Sequence, residues 1–372
     1  MLKRREIPFF NYPAVFESDR QEIMSSLEQV LGRGAYIMQK ELADFERDLA
    51  DFLGMKHAIG VGDGTMGLLL PLLACRLQPG DEVIVPSHTF VASAAAIHHA
   101  GGTPVLVDCG RDHLIDADSV RAAVTVRTKG IMPVQLNGRT ATMAPILEIA
   151  DQHGLFIVED ACQALGSTYR GRPAGSFGLA GSISFYPSKT LGAVGDGGAV
   201  VTNDDEIADQ IRILRDHGRG PDGQVSVWGL NTRLDNLQAA VLGIKLRRYR
   251  EAIARRRELA SVYNDRLAGI EQLLLPPGPE ESAEHFDIYQ NYEIEAESRD
   301  ELREHLLERG VHTILQWGGM AIHQFSKLGF DVSLPYTERM VERFMLLPMN
   351  TSLSDDDVHY VCDCIEEFYK GR

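Results

Sequence analysis

Cysteine is scarce: Cys75, Cys109, Cys162, Cys362 and Cys364 are the only five in 372 residues. An odd, small number does not build a disulfide framework, and Cys362-Asp-Cys364 has no second pair to complete a zinc site. Basic charge is short: 37 Lys and Arg against 53 Asp and Glu leave a formal charge of −16. A phosphate-backbone binder or a protein docked on an anionic membrane needs the opposite balance, so neither nucleic acid nor a membrane is an expected partner. A small anionic substrate held by a few local cations is still compatible. Long apolar runs are absent too. Val83 to Val107 carries no Asp, Glu, Lys or Arg, but Pro86, three histidines, Gly101-Gly102 and Pro104 interrupt it. It reads as strand, turn, helix, turn, strand and not as a span. The N-terminal Met1-Leu-Lys-Arg-Arg-Glu6 is not followed by an apolar signal segment, and a cytoplasmic protein is expected. Apolar residues make up 44%, an ordinary globular share that excludes disorder and coiled coil.

What is present is an alternation. Ser18–Leu31 and Lys40–Leu53 have helical spacing, with Leu42, Phe45, Leu49 and Phe52 on one face. Short apolar runs follow at 58–61, 82–85, 103–107, 130–134 and 155–158, separated by helix-sized segments at 65–77, 90–100, 117–124 and 143–153. Strands alternating with helices predict βαβ units and an α/β fold with a mostly parallel sheet. Gly181–Tyr186 and Gly198–Thr202 read as neighbouring strands, and Asn236–Leu267 as one long basic helix whose arginines form a solvated face. The predicted division is a large domain over 1–245, including the N-terminal helical segment, and a smaller C-terminal α/β domain over 246–372.

Four places can carry chemistry. Gly62-Asp-Gly-Thr65 lies between a strand and a helix, where free backbone N–H groups favour an anion; an ordinary turn with Thr65 as cap reads equally well. Glu159 and Asp160 end a buried strand, at the sheet edge where α/β proteins bind ligands. Alternation lets only one of the two face a given ligand. Lys189 is a single lysine in a neutral small-residue stretch, and a desolvated lysine is an amine nucleophile toward carbonyls; a surface lysine is the competing reading. Asn231-Thr-Arg233-Leu-Asp235 precedes the long helix and serves as a cap or as a contact. Together, an anion cradle, a strand-end acid and a lone lysine match the three handles of pyridoxal phosphate: its phosphate, its pyridine nitrogen and its aldehyde. His98-His99, His113 and His153 are scattered with no His-x-x-x-His pair, so no metal site is expected.

Six blocks in this order resemble the DegT/DnrJ/EryC1/StrS family of sugar aminotransferases, of the aspartate aminotransferase-like fold type I. They are Gly60–Met66, Asp81–Ala92, Val158–Gly166, Ser184–Lys189, Gly195–Gly198 and Leu230–Ala240. The resemblance implies that Lys189 forms the internal aldimine and shuttles the proton. By the same resemblance Asp160 pairs with the pyridine nitrogen, Gln163 lies near the ring hydroxyl and Phe90 stacks on the ring. Gly64, Thr65 and Ser184 would hold the phosphate, and Asn231 would reach it from the other subunit of a homodimer. Arg233 and His323 are candidates for substrate contact. The implied reaction converts a keto sugar, nucleotide-linked, to an amino sugar with L-glutamate as donor, in a ping-pong scheme. A cyclitol or other nucleotide-free carbohydrate ketone is the alternative substrate, and a non-catalytic regulatory protein on this fold the alternative class. Three departures stand out: Asp63 puts an acid beside the phosphate site, Gln135 and Asn137 replace residues that tend to face the sugar, and Gln316-Trp-Gly-Gly-Met-Ala-Ile-His323 replaces a C-terminal His-Tyr-Pro-x-Pro-x-His pattern.

Overall fold

The structure, a computed structural model, describes residues 4–370. Its strands are β1 (His57–Val61), β2 (Glu82–Pro86), β3 (Thr103–Val107), β4 (Thr128–Ile131), β5 (Phe156–Asp160), β6 (Thr168–Tyr169), β7 (Arg172–Pro173), β8 (Ala180–Ser184), β9 (Gly198–Thr202), β10 (Leu273–Leu274), β11 (His285–Phe286), β12 (Tyr292–Ala296) and β13 (Phe344–Leu347). Seven of them form one sheet in the order β1-β9-β8-β5-β4-β2-β3. Pairing is parallel from β3 through β8, and β9 runs antiparallel to both neighbours. The carboxyl ends of β1, β2, β4, β5 and β8 therefore share one edge, and the Gly195–Gly198 turn enters β9 from the same edge.

Strands buried on both faces explain the short apolar runs. One core packs Leu68, Ile97, Val120 and Ile146 against Ile84, Ile131 and Ile157. A second packs Phe45 and Leu49 of the helix Lys40–Leu53 against Ile183, Phe185 and Leu242. Gly54 then adopts φ 63°, which ends that helix at little cost because glycine has no Cβ to clash. A third core lies in the C-terminal part, around the sheet β10-β12-β13, and includes Tyr263, Tyr292, Leu347 and Val358; Ile7 from the N-terminus joins it. Among the described residues no helix is long and apolar enough to cross a membrane. The uncharged stretch 83–107 folds as β2, the helix Ala92–His99 and β3.

Two expectations are corrected. The long basic helix is two helices, Asn236–Arg247 and Tyr249–Leu267, separated at Arg248 with φ −107° and ψ 8°. The break turns Tyr249 into the second core, where its hydroxyl donates to the Leu165 carbonyl at 2.8 Å. Nor is the arginine run simply solvated. Arg256 is buried and its guanidinium donates to the carbonyls of Tyr289, Gln290 and Met349, tying this helix to the segments before β12 and after β13.

Candidate active site

The shared sheet edge opens into a cavity of about 590 Å³. Gly64, Thr65, Phe90, Asp160, Gln163, Ser184 and Lys189 all line it. Seven residues drawn from more than a hundred positions of chain meet because each sits just at or beyond the edge where the parallel strands end.

The cradle is built from the end of β1. Asp63 caps the helix Gly64–Ala74, its carboxylate accepting from Met66 N at 2.9 Å. The acid flagged beside the phosphate site is thus spent on its own helix, and Thr65, which the competing reading made the cap, is left to face the cavity. The first N–H groups of a helix have no intrahelical acceptor, so this end favours an anion. Gly64 is required: a Cβ there would lie 2.8 Å from Cys162 Sγ and 2.9 Å from Ser184 Cβ. Ser182 Oγ donates to Gly64 O at 2.9 Å and locks the turn against β8.

Glu159 and Asp160 diverge as strand alternation requires. Glu159 is fully buried on the far face, accepting from Gln135 Nε2 at 2.7 Å and from the N–H groups of Gly175, Phe177 and Gly178. Burial raises its pKa, opposed by those donors. Gln135 is consequently a structural partner of Glu159 and faces no sugar, contrary to the expectation for that position. Asp160 turns toward the cavity. Its Oδ2 accepts from Ser93 Oγ at 2.7 Å and its Oδ1 from Cys162 N at 3.2 Å, which fixes the carboxylate plane. Lys189 projects from the turn after β8. Desolvation lowers its pKa, against the opposing influence of Cys162 and Asp160. Burial also holds the Cys162 thiol well above its ordinary value, which leaves Lys189 as the nucleophile of the pair.

Three candidates lie elsewhere. Arg233 donates to Asp216 at 2.7 Å and does not line the cavity. His323 sits outside it as well, with Nδ1 2.7 Å from Ser87 Oγ. Asn231 is exposed and bridges Asp216 at the surface.

Several lining residues had no signal in the sequence. Phe9 and Phe10 arrive from the N-terminus and Gln290 and Asn291 from the approach to β12, while Gln316 and Trp317 come from the loop whose departure the sequence did mark. Behind Gln316, ligand-type atoms of His88, His113 and Glu293 lie within 4.8 Å of one another, all three buried. The histidines called scattered are therefore not all so. His113 Nδ1 lies 2.6 Å from Glu293 Oε1 and its Nε2 3.1 Å from Glu295 Oε1. Burial opposes charge on this ring, but hydrogen bonds to the two carboxylates outweigh it and raise His113 to about 9. Both ring nitrogens of His113 are engaged by carboxylates, so the cluster reads as a buried charge pair.

The sheet order and this cavity define the class: an α/β enzyme of the aspartate aminotransferase-like fold, the kind that works with pyridoxal phosphate. Within that class the chain belongs to the DegT/DnrJ/EryC1/StrS aminotransferase family, whose sequence model matches residues 17–366. It is 38% identical to a dTDP-3-amino-3,4,6-trideoxy-alpha-D-glucose transaminase of Streptomyces venezuelae, over 97% of this chain and 96% of that one. It is also 37% identical to a pleiotropic regulatory protein of Geobacillus stearothermophilus, covering 98% and 99%. Among solved structures, S. venezuelae DesV in complex with a ketimine intermediate superposes with a TM-score of 0.94 at 38% identity, covering 98% of this chain and 99% of that one. NtdA from Bacillus subtilis, with bound cofactor PMP, gives 0.89 at 28% identity, covering 99% and 86%.

Proposed function

We propose that the protein transfers an amino group from L-glutamate to a nucleotide-linked keto sugar. The observation that carries the reading is the meeting of Lys189, Asp160 and the Gly64–Thr65 cradle in one cavity. The residues fit the cofactor: a helix N-terminus with the hydroxyls of Thr65 and Ser184 suits its phosphate, Asp160 its ring nitrogen, and Phe90 one face of its ring. When bound, pyridoxal phosphate supplies a carbonyl for the amine and a ring that takes up the electron pair released at carbon. Asp160, held by Ser93 and Cys162, would set its carboxylate against the ring nitrogen. Lys189 lies in a desolvated site that favours its neutral form, and would serve there as the base. It removes a proton from the amino-acid α-carbon and later returns one, as general base and then general acid. The same two residues run the reverse sequence on the keto sugar, so the kinetics are ping-pong. Relatives named for dTDP-linked and UDP-linked sugars support the nucleotide. L-Glutamate without sugar should release 2-oxoglutarate up to one equivalent per site and then stop; continued release, or none, would contradict the scheme.

The active unit in this reading is a homodimer. Tyr36, Met38 and Tyr186 are exposed and apolar, and Trp228, on the loop after Gly218, is 100% exposed. Such a surface favours a partner, and a second copy would bring Asn231 to the first copy's phosphate cradle. The large and small parts, divided near residue 245, would then face each other across the cavity. A regulatory role is kept open by the name of the Geobacillus relative; a protein that binds the cofactor but shows no half-reaction would favour it.

A further inference from the structure

The cavity wall around Gln163 is a chain of side-chain amides. Gln163 Nε2 donates to Gln316 Oε1 at 3.3 Å, and Gln316 Nε2 donates to Glu293 Oε2 and to Asn137 Oδ1, each at 2.9 Å. Gln163 Oε1 accepts from Asn137 N at 3.0 Å and from Asn291 Nδ2 at 3.2 Å. An amide can sit either way round, and its neighbours decide which. Here two groups cannot change roles. Asn137 N–H only donates. Glu293, as a carboxylate, only accepts. Glu293 in turn is pinned by the large domain's histidines: its Oε1 faces His113 Nδ1 at 2.6 Å and His88 Nε2 at 3.2 Å. His113 is itself held from the other side by Glu295, which also accepts from Tyr336 and pairs with Arg343.

We propose that Glu293 is a positioning residue: acting through Gln316, it holds the Gln163 amide with an N–H, not a carbonyl, presented to the cavity. This rests on the reading of Gln163 as the neighbour of the bound cofactor's ring oxygen. Nε2 carries two hydrogens. One goes to Gln316, and the second is free for that oxygen. A donor there stabilises negative charge on the ring oxygen and so lowers the pH at which the bound chromophore loses its proton. Glu293 touches neither cofactor nor substrate; its effect passes along two amides.

The discriminating change is Glu293→Gln. It preserves shape but replaces one acceptor oxygen by an NH2 group; with the His113 proton on Nδ1, the remaining oxygen faces that ring and the NH2 faces the NH2 of Gln316. Either Gln316 turns over and confronts Gln163 with a second donor, or one bond of the chain is lost. Gln316→Met removes the link while leaving the His113–Glu293 pair intact, and serves if E293Q folds poorly. Holoenzyme of each variant, and of the double variant, is titrated for the visible absorbance of bound pyridoxal phosphate and for cofactor dissociation. One weakened hydrogen bond should loosen the cofactor roughly three- to tenfold and raise the absorbance midpoint by about 0.5–1 pH unit. The double variant should show no more than the larger single effect. Unmoved midpoints and affinities, with only a lowered melting temperature, would overturn the proposal and leave Glu293 a structural residue. Additive shifts would overturn it also. A wild-type protein with no visible band would sink the functional reading and this proposal together, whereas a normal wild-type band with unmoved variants would sink this one alone.

Discussion

His113 offers a quantitative test of the buried pair that it forms with Glu293 of β12. The perturbation is pH. Its folded pKa is raised from 6.5 to about 9 because the carboxylates of Glu293 and Glu295 outweigh the cost of burial. A raised pKa means that folding favours the protonated ring. The stabilisation is fully present below about pH 6.5, declines as pH rises, and is gone above about 9. A shift of that size corresponds to roughly 3 kcal/mol. Unfolding entropy for a chain this long, taken at ~2.1 cal/mol/K per residue, converts this to a melting change of about 4 °C. The companion shift has the opposite sense: burial would raise Glu293, but His88 and His113 hold it low, so its contribution is lost as pH falls through the acid range. Other groups titrate as well, so the quantity to measure is a difference. Melting temperatures of wild type and His113→Asn, recorded from pH 6.5 to 9.5, should converge by about 4 °C as the wild type gives up its advantage. Parallel curves would refute the reasoning, and so would a gap that widens toward alkaline pH.

Two further substitutions probe the sheet edge. Asp160→Asn keeps the shape and can still meet Ser93 and Cys162, but removes the charge behind the ring; turnover should fall about 10²–10³-fold with cofactor still retained, as steady-state kinetics beside absorbance would show. Gly67→Ala places a Cβ 2.3 Å from Ser182 Oγ, where the helix Gly64–Ala74 lies against β8. Overpacking of this kind costs about 1–3 kcal/mol, and adding Ser182→Ala should recover much of it, a non-additive result readable by chemical denaturation.

The parts of the fold legible in the sequence were those with local signatures. Alternating strands and helices located the parallel sheet, because a strand buried on both faces must be a short continuous apolar run and the intervening helices must be amphipathic. The residues gathered in the cavity were equally legible: Gly64, Asp160, Ser184 and Lys189 each sit at or just beyond a strand end, so one rule of topology brings them together. What was hidden depended on tertiary contact. Nothing local announces that Arg248 breaks a helical run, since the reason is the burial of Tyr249. Gln135 lay beside a motif that suggested substrate, yet the decisive fact is Glu159 on the far face of β5. His88, His113 and Glu293 are separated by up to 205 positions and follow no spacing rule. Arg233 and His323 were chosen for their chemistry, and nothing local shows that Asp216 and Ser87 hold them outside the cavity lining.

The central claim is that the Lys189 amine lies next to the aldehyde of bound pyridoxal phosphate. Borohydride reduction of the reconstituted protein, followed by proteolysis and mass spectrometry, tests it directly. The account predicts a stable phosphopyridoxyl adduct on the peptide carrying Lys189, and none there in Lys189→Ala. A label on another lysine, or equal labelling of the variant, would contradict it.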